Sequence, residues 1–182
     1  IFKEDTYIHE GIIVHFWEAL GQISPEITQD LVTDLASRAL CEVAGDTFPR
    51  SIVLHDLLRG FIKHELHDTQ ATHQALVSAY QNTQMGAGWH TVPDDGYFYA
   101  SFAYHLQQAG ALDILRHSLF DYPFLQAKLN ATDMISLIMD YDYLSDDPPV
   151  KLVQSVLVMS KDVLDSMPEQ LPVQFYDGLL SI

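Results

Sequence analysis

The chain carries a single cysteine, Cys41, so no disulfide can close within it. That fits a reducing compartment, and a cytoplasmic location is the expectation. Basic residues are scarce: nine Lys and Arg stand against 25 Asp and Glu, a formal net charge of −16. Binding phosphates takes a basic footprint, so no nucleic-acid partner is expected. No apolar run reaches the roughly 18 residues that a spanning helix needs, and no secretory leader pattern opens the chain. No membrane partner is expected either. The phosphate loop G-x-x-x-x-G-K-[ST] is missing: Gly86-Ala87-Gly88 has no Lys behind it and reads as a turn. There is no Gly-x-Ser-x-Gly elbow for a hydrolase. The segment alone is therefore expected to be no enzyme and to hold neither metal nor cofactor. It opens at Ile1-Phe2-Lys3 without an initiator Met, and we expect it to be part of a larger protein.

What is present is globular. Hydrophobic residues make up 48% and charged residues 19% of 182, enough to remove about 70% of the unfolded surface from water. Ile8, Ile12, Ile13, Phe16, Trp17 and Leu20 form a helical stripe closed by Gly21. Ser24-Pro25 supplies an N-cap and an N1 proline for a second helix, through Ile27, Leu31, Leu35 and Leu40. Residues 39–43 and 50–54 read as a short hairpin around Gly45-Asp46, followed by a helix from Asp56 to Leu66. From Asp68 on the pattern is helical. Segments are expected at about 69–83, 96–109, 111–119, 123–129, 134–144, 148–166 and 168–182, with a loop from Gln84 to Asp95. The fold class expected is mainly α: a winged-helix domain over residues 1–67, built of three helices and a short β-hairpin, then an all-helical antiparallel array over residues 68–182.

The stretch that invites a functional reading is Leu54-His55-Asp56, where a strand turns into a helix. An acid in a first helical turn suits the positive end of the helix dipole, and that end also suits phosphate oxygens. Two readings stay open: Asp56 as a helix cap beside a solvated His55, or a pair poised for a ligand.

Other clusters read more plainly. His64, His67, Asp68 and His73 could be metal ligands, but two of them lie across a helix break and no Cys joins them, so a solvated helix end is the reading. Tyr97, Phe98, Tyr99, Phe102 and Tyr104 read as core. Asp94-Asp95, Asp140-Tyr141-Asp142 and Asp146-Asp147 lack EF-hand spacing and read as solvated loop acids and helix caps.

Four places in order resemble one family. Phe2-Lys3-Glu4-Asp5 followed by Trp17 is similar to an opening F-P-E-D … L-W, with Lys3 in place of Pro. Leu54-His55-Asp56 resembles the M-H-D motif, continued by Leu57-Leu58-Arg59. Tyr104-His105-Leu106, Leu112, Leu119, Phe124-Leu125 and Ala127-Lys128-Leu129 resemble Y-H-L … L … W-L-x-A-K, with Phe124 for Trp. Met167-Pro168-Glu169-Gln170-Leu171 resembles the helix before a WD-repeat propeller. Together they resemble the winged-helix and helical domains of the apoptotic protease-activating factor class of NB-ARC (STAND) signalling ATPases. The resemblance implies that His55 contacts the β-phosphate of ADP in the intact protein and that Asp56 orients His55 or caps the helix. It implies ADP or ATP with Mg in the parent protein. It also implies an upstream nucleotide-binding domain and a downstream propeller or repeat sensor as partners in the same chain, and oligomerisation on opening. The alternative is a DNA-binding transcription regulator with a helical effector domain. Against it stand the charge and a presumed recognition helix, Pro25 to Ala39, with Arg38 as its only base.

Overall fold

A computed structural model describes residues 2, 7–21, 23–65 and 68–180, with the backbone alone at 56–59, 63 and 179. The chain forms two compact units, Ile1–Asn82 and Thr83–Ile182.

The first unit holds a three-stranded antiparallel sheet in the order β1-β3-β2, from β1 (Ile8–His9), β2 (Cys41–Ala44) and β3 (Ser51–Leu54). The sequence predicts helix from Ile8, yet Ile8 and His9 pair with Ile52 and Ser51. The helical stripe and a two-residue strand both bury Ile8, so periodicity alone could not separate them. Helix α1 (Glu10–Gly21) then buries Ile12, Val14 and Phe16. In α2 (Pro25–Ser37) the Ser24 hydroxyl accepts from the Ile27 N–H, as the N-cap reading expects. This helix stops two residues early. Ala39 takes a left-handed conformation at φ 55° while the Leu40 N–H donates to the Leu35 carbonyl. Val32, Cys41 and Ile52 form a buried cluster with Ile13, Leu35, Ala36 and Val43 packed on it, joining α1 and α2 to the sheet. After β3 come α3 (Asp56–Glu65) and α4 (Thr69–Gln81), whose N-cap is Asp68. Helix α4 packs on α1, with His15 and Tyr80 ring centroids 5.8 Å apart. Helix, helix, hairpin and helix follow in the expected order, with β1 as an added third strand. Leu66, given as the end of the third helix, lies outside the described residues, as do Lys3, Glu4 and Asp5 of the opening motif.

The second unit is helical: α5 (Phe98–Gln108), α6 (Leu112–Ser118), α7 (Tyr122–Ala131), α8 (Met134–Asp140), α9 (Pro148–Met159), α10 (Lys161–Ser166) and α11 (Leu171–Leu180), with short 3-10 turns at Trp89–Thr91, Tyr141–Leu144 and Pro168–Gln170. Two expected boundaries move. The joint placed at Asn130-Ala131-Thr132 begins inside α7, and the single helix expected over 148–166 is interrupted at Ser160, which closes α9 and precedes α10. Ser160 is buried, so this bend faces the core, where no proline or glycine marks it. The core is dense. Leu106, Leu119, Met134, Leu137, Val150, Val156, Leu157, Leu164 and Leu171 are fully buried, each stabilising the fold by about 1.5–3 kcal/mol relative to exposure. The expected aromatic core is there. Phe98, Phe102 and Phe124 stack in sequence with centroids 4.7 and 5.7 Å apart, Trp89 lies 4.5 Å from Phe102, and Tyr104 is half-buried at the edge. At Gly178 α11 comes so close to α9 that any Cβ would run into Val156. Among the described residues no helix is long and apolar enough to cross a membrane.

Candidate functional site

His55 stands between the last residue of β3 and the first of α3, and the hairpin fixes its place. Cys41 pairs with Leu54 and Glu42 with Val53. β3 is itself braced at its start. The Glu10 N–H donates to the Arg50 carbonyl at 2.7 Å, and the Arg50 guanidinium returns two bonds to the Glu10 carboxylate, 2.8 and 2.6 Å long. This bidentate contact holds the Glu10 carboxyl below the usual carboxylate range, against the opposing effect of burial. Burial pushes the Cys41 thiol up, away from thiolate reactivity.

The His55 ring is 45% exposed, with Nδ1 4.0 Å from Glu42 Oε1. That is too long for a hydrogen bond, so the imidazole keeps donor capacity for another group. The α3 backbone begins beside it, with its first N–H groups and the positive end of its dipole. The ring and helix start together suit a phosphate oxygen. The Glu42 carboxylate, being negative, would oppose an anion. The side chain of Asp56 lies outside the described part, so its expected capping or orienting role is not placed. Glu42 was missed by sequence reasoning. The antiparallel register brings it one position from the pair that ends at Leu54, so a strand-pairing argument could have found it.

Three members of the possible metal group are described. Asp68 Oδ1 accepts from the Ala71 N–H at 2.8 Å, His64 is exposed, and His67 lies outside the described residues. His73 corrects the expectation of a solvated helix end. It is buried on the inner face of α4, and burial lowers its pKa to about 4. Among the described residues no group of three or more His, Cys, Asp or Glu could hold a metal ion.

The second unit has polar chemistry of its own, in its interior. The expectation that Asp140 is a solvated acid is wrong. Asp140 Oδ2 meets Lys128 Nζ at 2.7 Å, and the fully buried ammonium also donates to the Tyr99 carbonyl at 2.6 Å. The next residue, Tyr141, turns inward as well and donates to the Leu119 carbonyl at 2.8 Å; burial raises its phenol pKa far above the usual value. Tyr97 Oη and His105 Nε2 lie 2.7 Å apart in the core. Two of the other acids do cap helices: Asp95 Oδ1 accepts from the Tyr97 and Phe98 N–H groups, and Asp147 from the Val150 N–H while it binds Arg116.

Residues 69–147 match a protein-family model described as the APAF-1 helical domain. This stretch is similar to that domain. The match takes in α4 through the 3-10 turn at Tyr141–Leu144, and so contains Lys128, Asp140, Tyr99 and Tyr141. Phe124, standing where relatives are expected to carry Trp, is buried against Tyr99 and Phe102. Lys128 of the A-K pair is fully buried. The matched residues cover less than half of the chain and leave His55 outside. Among curated proteins none matches the chain.

Proposed function

We propose that the chain is the regulatory and relay part of an NB-ARC (STAND) signal-transduction ATPase. In it, His55 contacts the β-phosphate of ADP held by an upstream nucleotide-binding domain. The observation that carries this reading is the APAF-1-type helical domain directly behind a strand-to-helix junction that presents an exposed imidazole. The nucleotide supplies a charged group that bridges two domains. His55 donates a hydrogen bond to it, the start of α3 adds a favourable dipole, and Asp56 orients the ring or caps the helix. Such a bridge favours the closed state, and exchange of ADP for ATP, with Mg, releases it. The helical domain then carries the change to a C-terminal propeller or repeat sensor and to an oligomer of the parent, in the cytoplasm. Catalysis belongs to the nucleotide-binding domain, not to this segment.

The reading predicts that His55→Ala, in a protein carrying this chain behind its nucleotide-binding domain, lowers the ADP that co-purifies and raises the oligomeric fraction on sizing columns. A mutant as monomeric and as ADP-loaded as the parent would sink it. Duplex DNA is disfavoured as a partner, because α2 holds no Lys or Arg and Arg38, its C-cap, is engaged by Asp34 at 2.9 Å.

A further inference from the structure

The outer face of α8 and α9 is apolar where a solvated helix pair is normally polar. Ile135 and Met139 stand one turn apart on α8, and Val158 and Met159 close α9; all four are between 54% and 65% exposed. Their neighbours on the inner side, Met134, Leu137, Val156 and Leu157, are fully buried, so the two helices are apolar on both sides. The four residues belong to one surface. The Gln154 amide donates to the Ile138 carbonyl and to Asp142 Oδ1, at 3.2 and 2.7 Å, which sets the middle of α9 against the end of α8. Lys161, just past α9, hydrogen-bonds Asp165 and also feels Asp162 and Asp133, the residue that caps the start of α8. The helices therefore run antiparallel, which sets the exposed end of α9, Val158 and Met159, toward the start of α8, where Ile135 is exposed.

Two further properties narrow what would cover this surface. Two of the chain's five methionines lie in it, and exposed methionine gives a soft, adaptable contact to apolar side chains of varied shape. Its rim is acidic. Asp133, Asp142 and Asp162 border it, Lys161 is neutralised by Asp165, and Lys151 is the one other base on the outward side of α9. With a chain charge of −16, an acidic partner or an anionic lipid surface would be repelled at long range.

We propose that the α8–α9 face docks a basic amphipathic helix, its apolar side on Ile135, Met139, Val158 and Met159 and its lysines or arginines on the rim acids. This is the helix-on-apolar-face mode of recognition, in which buried apolar area supplies affinity and charge supplies orientation.

The test uses the full 182-residue chain with labelled methionine methyl groups. Its probe is a roughly 14-residue Leu–Lys helical peptide, about four turns long, alongside a Leu–Glu version of the same pattern. The Leu–Lys peptide should move the Met139 and Met159 signals and leave Met85 and Met167 in place, with an affinity that falls as salt rises. The Leu–Glu peptide should move none. Ile135→Lys with Met139→Lys should weaken binding by about tenfold or more. Ile27→Lys with Leu31→Lys, the same charge change on exposed positions of α2, should leave it nearly unchanged. Equal binding of both peptides, shifts confined to other methionines, or equal weakening by the two double variants would overturn the proposal. So would movement of these signals with chain concentration alone, which would assign the face to a second copy.

Discussion

Each unit buries a carboxylate against a base distant in sequence, and the two pairs are built differently. Glu10 is fully buried, but its partner Arg50 keeps 20% of its side chain in water. Lys128 and Asp140 are 0% and 6% exposed, so both charges are sealed. An arginine with one side in solvent can turn outward when its partner is lost, whereas a sealed ammonium cannot. The first pair pins the start of β3, and His55 follows at the end of that strand, open to solvent. The second ties α7 to α8 and to the α5 backbone inside the helical unit. One unit thus leaves an imidazole exposed at a strand end, and the other seals its ion pair inside its helices.

The largest effect expected from this contrast is at the sealed pair. Lys128→Met leaves Asp140 buried without its cation and should cost about 3–5 kcal/mol. Adding Asp140→Leu should recover most of that loss, because an apolar pair of similar volume needs no neutralisation. The chain has one tryptophan in each unit, Trp17 and Trp89. Urea melts of Trp17→Phe and Trp89→Phe backgrounds therefore read the units separately, and the loss should appear in the Trp89 signal. If the double variant were no more stable than Lys128→Met, the sealed-pair account would be wrong.

The next effect is pH-dependent and confined to the first unit. His73 has its pKa lowered to about 4 by burial, so it is neutral in the folded state while an unfolded chain takes up a proton from about pH 6.5. The contribution is therefore complete above about pH 6.5 and is lost as pH falls toward 4. It should reach about 3 kcal/mol, read by the Trp17 signal. His73→Phe should flatten that slope, and an unchanged slope would assign the acid sensitivity elsewhere. The smallest effect is at the half-open pair. Glu10→Gln removes a charge-assisted contact that Arg50 can replace with water, and should cost about 1.5–3 kcal/mol in the same assay. A cost equal to that of Lys128→Met would erase the distinction between the pairs.

Much of this was legible in the chain before any coordinates. Ser24-Pro25 starts α2, Asp68 starts α4, Asp95 caps α5 and Asp147 caps α9, because these signals act within three or four residues. The aromatic core followed from spacing. What escaped was non-local. Nothing near Asp140 says that Lys128, 12 residues earlier, will be sealed against it; a D-Y-D string reads as a solvated acid until the helices are packed. Glu10 and Arg50 are 40 positions apart, so the residues that brace β3 could not be paired by pattern. Strand β1 was hidden for a related reason, since it pairs with β3, more than forty residues away. His55 itself was placed correctly at a strand-to-helix junction by a local break in periodicity. Its neighbour Glu42 depends on hairpin register.

ADP release most directly tests the proposed contact between His55 and bound ADP. The measurement is the rate of ADP loss from the protein that carries this chain behind its nucleotide-binding domain, for the parent, His55→Ala and the surface control Arg38→Ala. Loss of one hydrogen bond to a charged group is worth about 1.5–3 kcal/mol, so His55→Ala should release ADP about tenfold faster or more, with Arg38→Ala at the parent rate. Equal release rates for His55→Ala and the parent would contradict the account.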